Sequence, residues 1–152
     1  YTPRVGAKVA VLDEDSLRHV FEVREVLDGL AARQPVERLT YADIDDLWKR
    51  IRAQEDLLTG PADHKRDAQL DLEFHTAVRS LSGNKPLCDA LLKLDTQSHL
   101  YRSDMWGHDV NRRLSVTEHR RLVAALEAGD AEGAQAAARA HAAGVLVRLL
   151  RS

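Results

Sequence analysis

Three histidines and one aspartate interrupt apolar stripes that otherwise read as buried helix faces. Asp71 and His75 stand one helical turn apart, on the shoulder of the stripe formed by Leu70, Phe74, Val78 and Leu81. His119 is flanked by Leu122, Val123 and Leu126, and His141 by Ala134, Ala137, Ala138 and Val145. A lone histidine on an apolar face is more often a satisfied core residue than a ligand. Three of them, with a carboxylate one turn before the first, need a common purpose, because a buried imidazole without partners is costly. A fold that serves all four must bring three separate helices to one point. Three neutral imidazoles and a carboxylate form an N/O donor set suited to a divalent transition metal, zinc foremost, with nickel, manganese and iron accepting the same ligands. The small residues around His141 let helices approach closely and leave room for an ion.

The rest of the chain reads as helix after helix. Leu17, Val20, Phe21, Leu27 and Ala31 mark a first helix over 14–33, closed by Pro35. Thr40 with Asp43 predicts a capping box that opens a second helix carrying Ile44, Leu47, Trp48, Ile51 and Leu58, and Gly60-Pro61 ends it. The third helix runs to about Leu81. Gly83 then suits the residue after a helix end, and Asn84 suits the cap of the next helix. A fourth helix is predicted to carry Leu87, Leu91, Leu94, Tyr101 and Met105, with Ser98 inside its stripe and Arg102 at its edge, before a loop at 106–109. Ser115 with Glu118 predicts a second capping box, and so a fifth helix starting there. Gly129-Asp130 separates it from an Ala-rich sixth. The expected fold is an all-α antiparallel bundle of about six helices around a central metal site. Residues 4–11 alternate Val5, Ala7, Val9 and Val11 as a strand would, yet one short strand is unstable alone. The expected organisation is a linker or strand remnant over 1–12 and one domain over 13–152.

Composition excludes more than it assigns. The 152 residues include 22 basic and 24 acidic side chains for a net charge of -2, so no global field attracts nucleic acid or an anionic membrane. The apolar runs are too short to span a bilayer. A single cysteine, Cys88, cannot form an internal disulfide and fits a reducing, cytoplasmic setting.

Arg24 is the second anomaly, a cation in the apolar arc between Leu17, Phe21 and Leu27. Two readings stay open: a buried pair with Asp28 or another carboxylate, or a guanidinium clamp for a small carboxylate ligand. Ser98 and Arg102 are candidate donors to the same ligand. Asp67 is read as a solvated charge, and His19, His64, His99 and His108 as surface or rim. Trp48 and Trp106 are read as packing residues. A hydrolase with the same metal site is the alternative, but it needs a general base, and Glu118 is already occupied if it serves the capping box.

Asp71-Leu-Glu-Phe-His75 followed by Ser82-Gly-Asn84 resembles the FCD domain, the C-terminal effector-binding and oligomerisation domain of FadR-type GntR-family bacterial transcription regulators. Thr117-Glu-His119 through Asp130, with His141 22 residues after His119, resembles it too, as does the Val23–Asp28 segment of the first helix. The resemblance covers about residues 12–150. It implies a non-enzymatic sensor in which Asp71, His75, His119 and His141 carry the metal and face a pocket for small organic acids. Arg24 matches the family's first-helix arginine. It further implies a homodimer that meets operator DNA only through a winged helix-turn-helix domain, of which residues 4–11 resemble the last wing strand.

Overall fold

The computed structural model describes residues 11–101 and 103–152. Six α-helices follow one another: α1 Glu14–Arg33, α2 Tyr41–Thr59, α3 His64–Ser80, α4 Lys85–Ser98, α5 Asp109–Glu127 and α6 Ala131–Arg151. Single 3-10 turns at Val36–Arg38 and Met105–Gly107 join two of the connections, and no strand occurs among the described residues. The strand expected at 4–11 lies outside the described residues, Val11 apart.

Five of the six helices, all but α5, start where the sequence supplies an acceptor for orphan backbone amides. Asp13, Thr40, Asp63, Asn84 and Asp130 each cap the helix that follows. Thr40 and Asp43 form the predicted reciprocal box. Gly83 and Gly129 take positive φ of 63° and 71°, the left-handed conformation that releases the chain from α3 and α5.

α6 lies along α1 on one side and α5 on the other; α5 packs on α2, α2 on α3, and α1 on α4. The α1–α6 pair is antiparallel, since Arg33 meets Gln135 and Glu25 meets Arg139. So is α2–α5, where Gln54 meets His119 and the Leu57 carbonyl meets Arg112. Ile44, Leu47 and Ile51 of α2 join Phe74 and Val78 of α3, Val116, Leu122, Val123 and Leu126 of α5, and Ala134 and Ala138 of α6 in one core. Phe74 and Ile51 are fully buried, each contributing about 2–3 kcal/mol of transfer free energy.

Three sequence expectations change. α4 ends at Ser98, so Tyr101 and Met105 lie in the connection that follows and not on the helix. α5 begins at Asp109, which places Ser115 in mid-helix and leaves it no capping role; the box with Glu118 does not exist. Asp67 is buried and paired with Arg112, whose Nε lies 2.6 Å from Oδ2 and whose Nη2 donates to the Leu57 carbonyl. A clasp of this kind ties the first turns of α3 and α5 to the end of α2.

Candidate metal centre and adjoining cavity

Asp71 and His75 on α3, His119 on α5 and His141 on α6 converge, with one donor atom from each lying within 4.8 Å of the other three. Around the ring of four, His75 Nε2 is 3.3 Å from Asp71 Oδ1, and His119 Nε2 is 3.4 Å from the same oxygen. His141 Nε2 lies 3.2 Å from both His119 Nε2 and His75 Nε2. Ligand atoms ~2.1 Å from a shared ion stand about 3.0 Å apart at a right angle and about 3.4 Å at the tetrahedral angle. The four neighbouring separations fall in that interval.

The outer partners fix which nitrogen points inward. Gln54 donates through Nε2 to the Leu70 carbonyl, which turns its Oε1 toward His119 Nδ1 at 2.8 Å. Glu118 Oε1 stands 2.6 Å from His141 Nδ1. Both partners accept, so both Nδ1 atoms carry the proton and both inward Nε2 atoms are bare. Burial, with only partial compensation from Asp71, holds the His119 pKa down at about 3. His141 is likewise lowered, by burial first. Two neutral rings therefore aim lone pairs at each other across 3.2 Å, an arrangement that a cation between them relieves. Burial alone would raise the Asp71 carboxyl, but His75, with its Nε2 3.3 Å from Oδ1, reverses this and takes it well below the usual range. Glu118, bonded to His141 and Arg148 against the effect of burial, falls to about 2.

The centre opens on one side to a cavity of about 280 Å³, close to the lower bound of ordinary small-molecule sites. Asp71 and His75 form its floor. Phe21 and Arg24 come from α1, Asp95 and Ser98 from α4, and Met105 and Trp106 from the connection to α5. Arg24 lies over the Phe21 ring at 4.5 Å and reaches Asp95 Oδ1 at 3.3 Å and Asp28 Oδ2 at 3.8 Å. It is paired with Asp28 and Asp95, as the first of the two readings has it, and it also lines the cavity. Ser98 also lines the cavity, with its hydroxyl proton given to the Leu94 carbonyl at 2.9 Å. Arg102 lies outside the described residues. The four other histidines are exposed, with His99 at the cavity rim. Trp106 belongs to the cavity wall and not only to packing.

Sequence reasoning missed Gln54, Asp95, Ser115 and Arg148. Gln54 had left a signal, a gap in the α2 stripe one turn after Ile51. The mistaken capping box hid Ser115 and Glu118 together.

Six helices around a polar centre that opens on a small cavity define an all-α bundle with one buried polar site. The comparisons supply the family. The FCD domain signature matches residues 19–144, and the chain belongs to that family, the effector-sensing regulatory domain of GntR-type regulators. No curated protein sequence matches it. Among solved structures it is similar to E. coli McbR/YncC, with a TM-score of 0.83 at 19% identity over 92% of this chain and 70% of that one. It is also similar to Lar, described as controlling expression of the Listeria monocytogenes agr system and mediating virulence, with a TM-score of 0.78 at 16% identity over 95% of this chain and 67% of that one. At such identities the likeness concerns the fold. No helix among the described residues is long and apolar enough to cross a membrane.

Proposed function

We propose that this domain senses a small organic acid through a divalent transition metal held by Asp71, His75, His119 and His141, and that it regulates an attached winged helix-turn-helix domain. The observation that carries the reading is the facing pair of Nε2 atoms of His119 and His141, 3.2 Å apart, with the Nδ1 of each ring set against an oxygen acceptor. Zinc suits the donor set best, and nickel, manganese and iron are alternatives that elemental analysis distinguishes. A bound ion supplies positive charge and open positions for a carboxylate oxygen.

This chain's own residues do the rest. Gln54 and Glu118 orient two of the rings, Arg24 receives the far end of the acid, and Phe21, Met105 and Trp106 exclude water from its sides. The acid would touch α1 and α4 as well as the ion-bearing helices, so it favours the relative placement of these elements that fits it. In a homodimer, that shift would alter the spacing of two DNA-reading heads on paired half-sites. A hydrolytic role has less support, because Glu118 is committed to His141 Nδ1 and Arg148.

Native mass spectrometry and elemental analysis of the purified chain test the reading, with one ion per chain expected. Arg24→Ala should retain the ion and weaken carboxylate binding by about 1.5–3 kcal/mol in calorimetry. Sedimentation should show a dimer, and a gel shift should show operator binding only when the DNA-reading domain is attached. A chain that takes up none of the four metals overturns the proposal.

A further inference from the structure

The cavity lining presents two opposite charges side by side. Arg24 Nη2 and Asp95 Oδ1 are 3.3 Å apart, their side chains only 11% and 12% exposed, and both line the cavity. Behind them Arg79 Nε bonds Asp28 Oδ1 at 3.0 Å, and the same guanidinium grips Asp95. Asp28 and Asp95 more than offset the effect of burial on Arg79 and raise its pKa, so it stays charged. Two guanidinium groups and two carboxylates make this wall neutral as a set among the described residues. Arg79 takes the hydrogen bonds of both carboxylates. Among the described residues Arg24 makes none, and its Nε is buried without a partner.

A group arriving at this wall meets a donor and an acceptor together. A carboxylate would gain from Arg24 and lose to Asp95 at a similar distance. A hydroxyl satisfies both, since its oxygen accepts from Arg24 while its proton goes to Asp95. Ser115, also in the cavity lining, is 2% exposed, and its Oγ has no partner among the described residues. Ser115 lines the cavity with Asp71 and His75, and it borders the small void shared with Gln54, Asp71 and His119. A buried hydroxyl left unpaired calls for an acceptor, and a ligand carboxylate oxygen beside the ion-binding residues supplies one.

We propose that the acid this cavity takes is a hydroxy monocarboxylate. Its one carboxylate lies at the Asp71–His75 end and accepts from Ser115. Its hydroxyl is read by Arg24 and Asp95 together, and Asp95 is the residue that rejects a second carboxylate. This rests on the effector-site reading given above.

Calorimetry on the metal-loaded chain with two matched pairs tests it. D-Gluconate and D-glucarate differ in carrying a hydroxyl or a carboxylate at C6, and lactate and malonate make the same comparison on three carbons. In the pair that binds, the hydroxy monoacid should win by at least about tenfold, and Asp95→Asn should narrow that ratio about tenfold, because a site built to bond a hydroxyl discriminates sharply. Ser115→Ala should weaken the monoacid at unchanged metal content. If Asp95→Asn fails to fold, the wild-type ratio still decides. A diacid that binds as tightly as its partner monoacid overturns this inference and leaves the effector reading standing. Absence of binding by all four acids overturns both.

Discussion

His141 Nδ1 lies 2.6 Å from Glu118 Oε1, and that contact decides which ring nitrogen faces the other histidines. Arg148 holds the same carboxylate from the far side through Nη1 at 3.0 Å. Glu118→Ala should therefore free the ring and leave Arg148 unpaired, lowering metal affinity about 10–100-fold. Glu118→Gln keeps an acceptor oxygen for Nδ1 and should lose less. Chelator competition measures both, and equal affinity in the two variants and the parent would show that the ring is steered by something else.

Replacing His75, His119 or His141 by Ala should remove most of the bound metal. Each ring supplies one donor to a compact set of four. An ion that binds only the folded state stabilises it by roughly 2.7 kcal/mol when present at 100 times its Kd. Metal addition should then raise the melting temperature of the parent but not of the variants. A parent whose melting temperature ignores every candidate metal contradicts the assignment.

Asp67→Ala should cost about 3–5 kcal/mol, the usual penalty for orphaning one partner of a buried ion pair. Arg112 would keep its bonds to Asp109 and to the Leu57 carbonyl, but its main counter-charge would be gone. Replacing both partners together, Asp67→Leu with Arg112→Met, should recover much of the loss. Urea unfolding of the three proteins checks this, and a loss under 1 kcal/mol for the single variant rules the clasp out as a stabilising element.

The metal-free chain should lose stability on acidification from about pH 6.5 downward. His119 has its pKa depressed from 6.5 to about 3, so the unfolded state binds the proton first and folding weakens as pH falls between those values. His141 acts in the same sense. Glu118, depressed from 4.5 to about 2, contributes stability that is present above pH 4.5 and lost as pH falls through that range. Each group can contribute a slope of up to about 1.4 kcal/mol per pH unit. Denaturant titrations at pH 7.5, 6 and 4.5 should give steadily falling stabilities, and a flat profile contradicts the sign.

Local chemistry was legible where one residue type has one task. Thr40, Asn84, Gly83 and Gly129 start or stop helices through their own side chain or φ, and the sequence marks those points directly. The convergence of Asp71, His75, His119 and His141 was legible because polar residues in apolar stripes stand out at helical spacing. Ser115 and Glu118 misled, because a Ser-x-x-Glu pattern is identical at a cap and in mid-helix, and the start of α5 at Asp109 is what tells them apart. Asp67 was misread for a related reason. Its partner lies 45 positions away, and no local pattern marks so distant a pairing. Asp95 belongs to the same class, since it matters only through Arg24 and Arg79 on two other helices.

The spacing of the four donors also sets an order of assembly. Asp71 and His75 are neighbours on one turn, His119 and His141 lie 22 residues apart, and His75 and His141 lie 66 apart. A nascent or unfolded chain can offer an ion only the first pair at little entropic cost, since each wider loop must close before its ring arrives. On the proposed metal reading, coordination number counts tertiary closures. A cobalt-substituted chain refolding from denaturant would report by its colour first α3, then the docking of α5 and α6, so the centre doubles as an internal clock for how the bundle comes together.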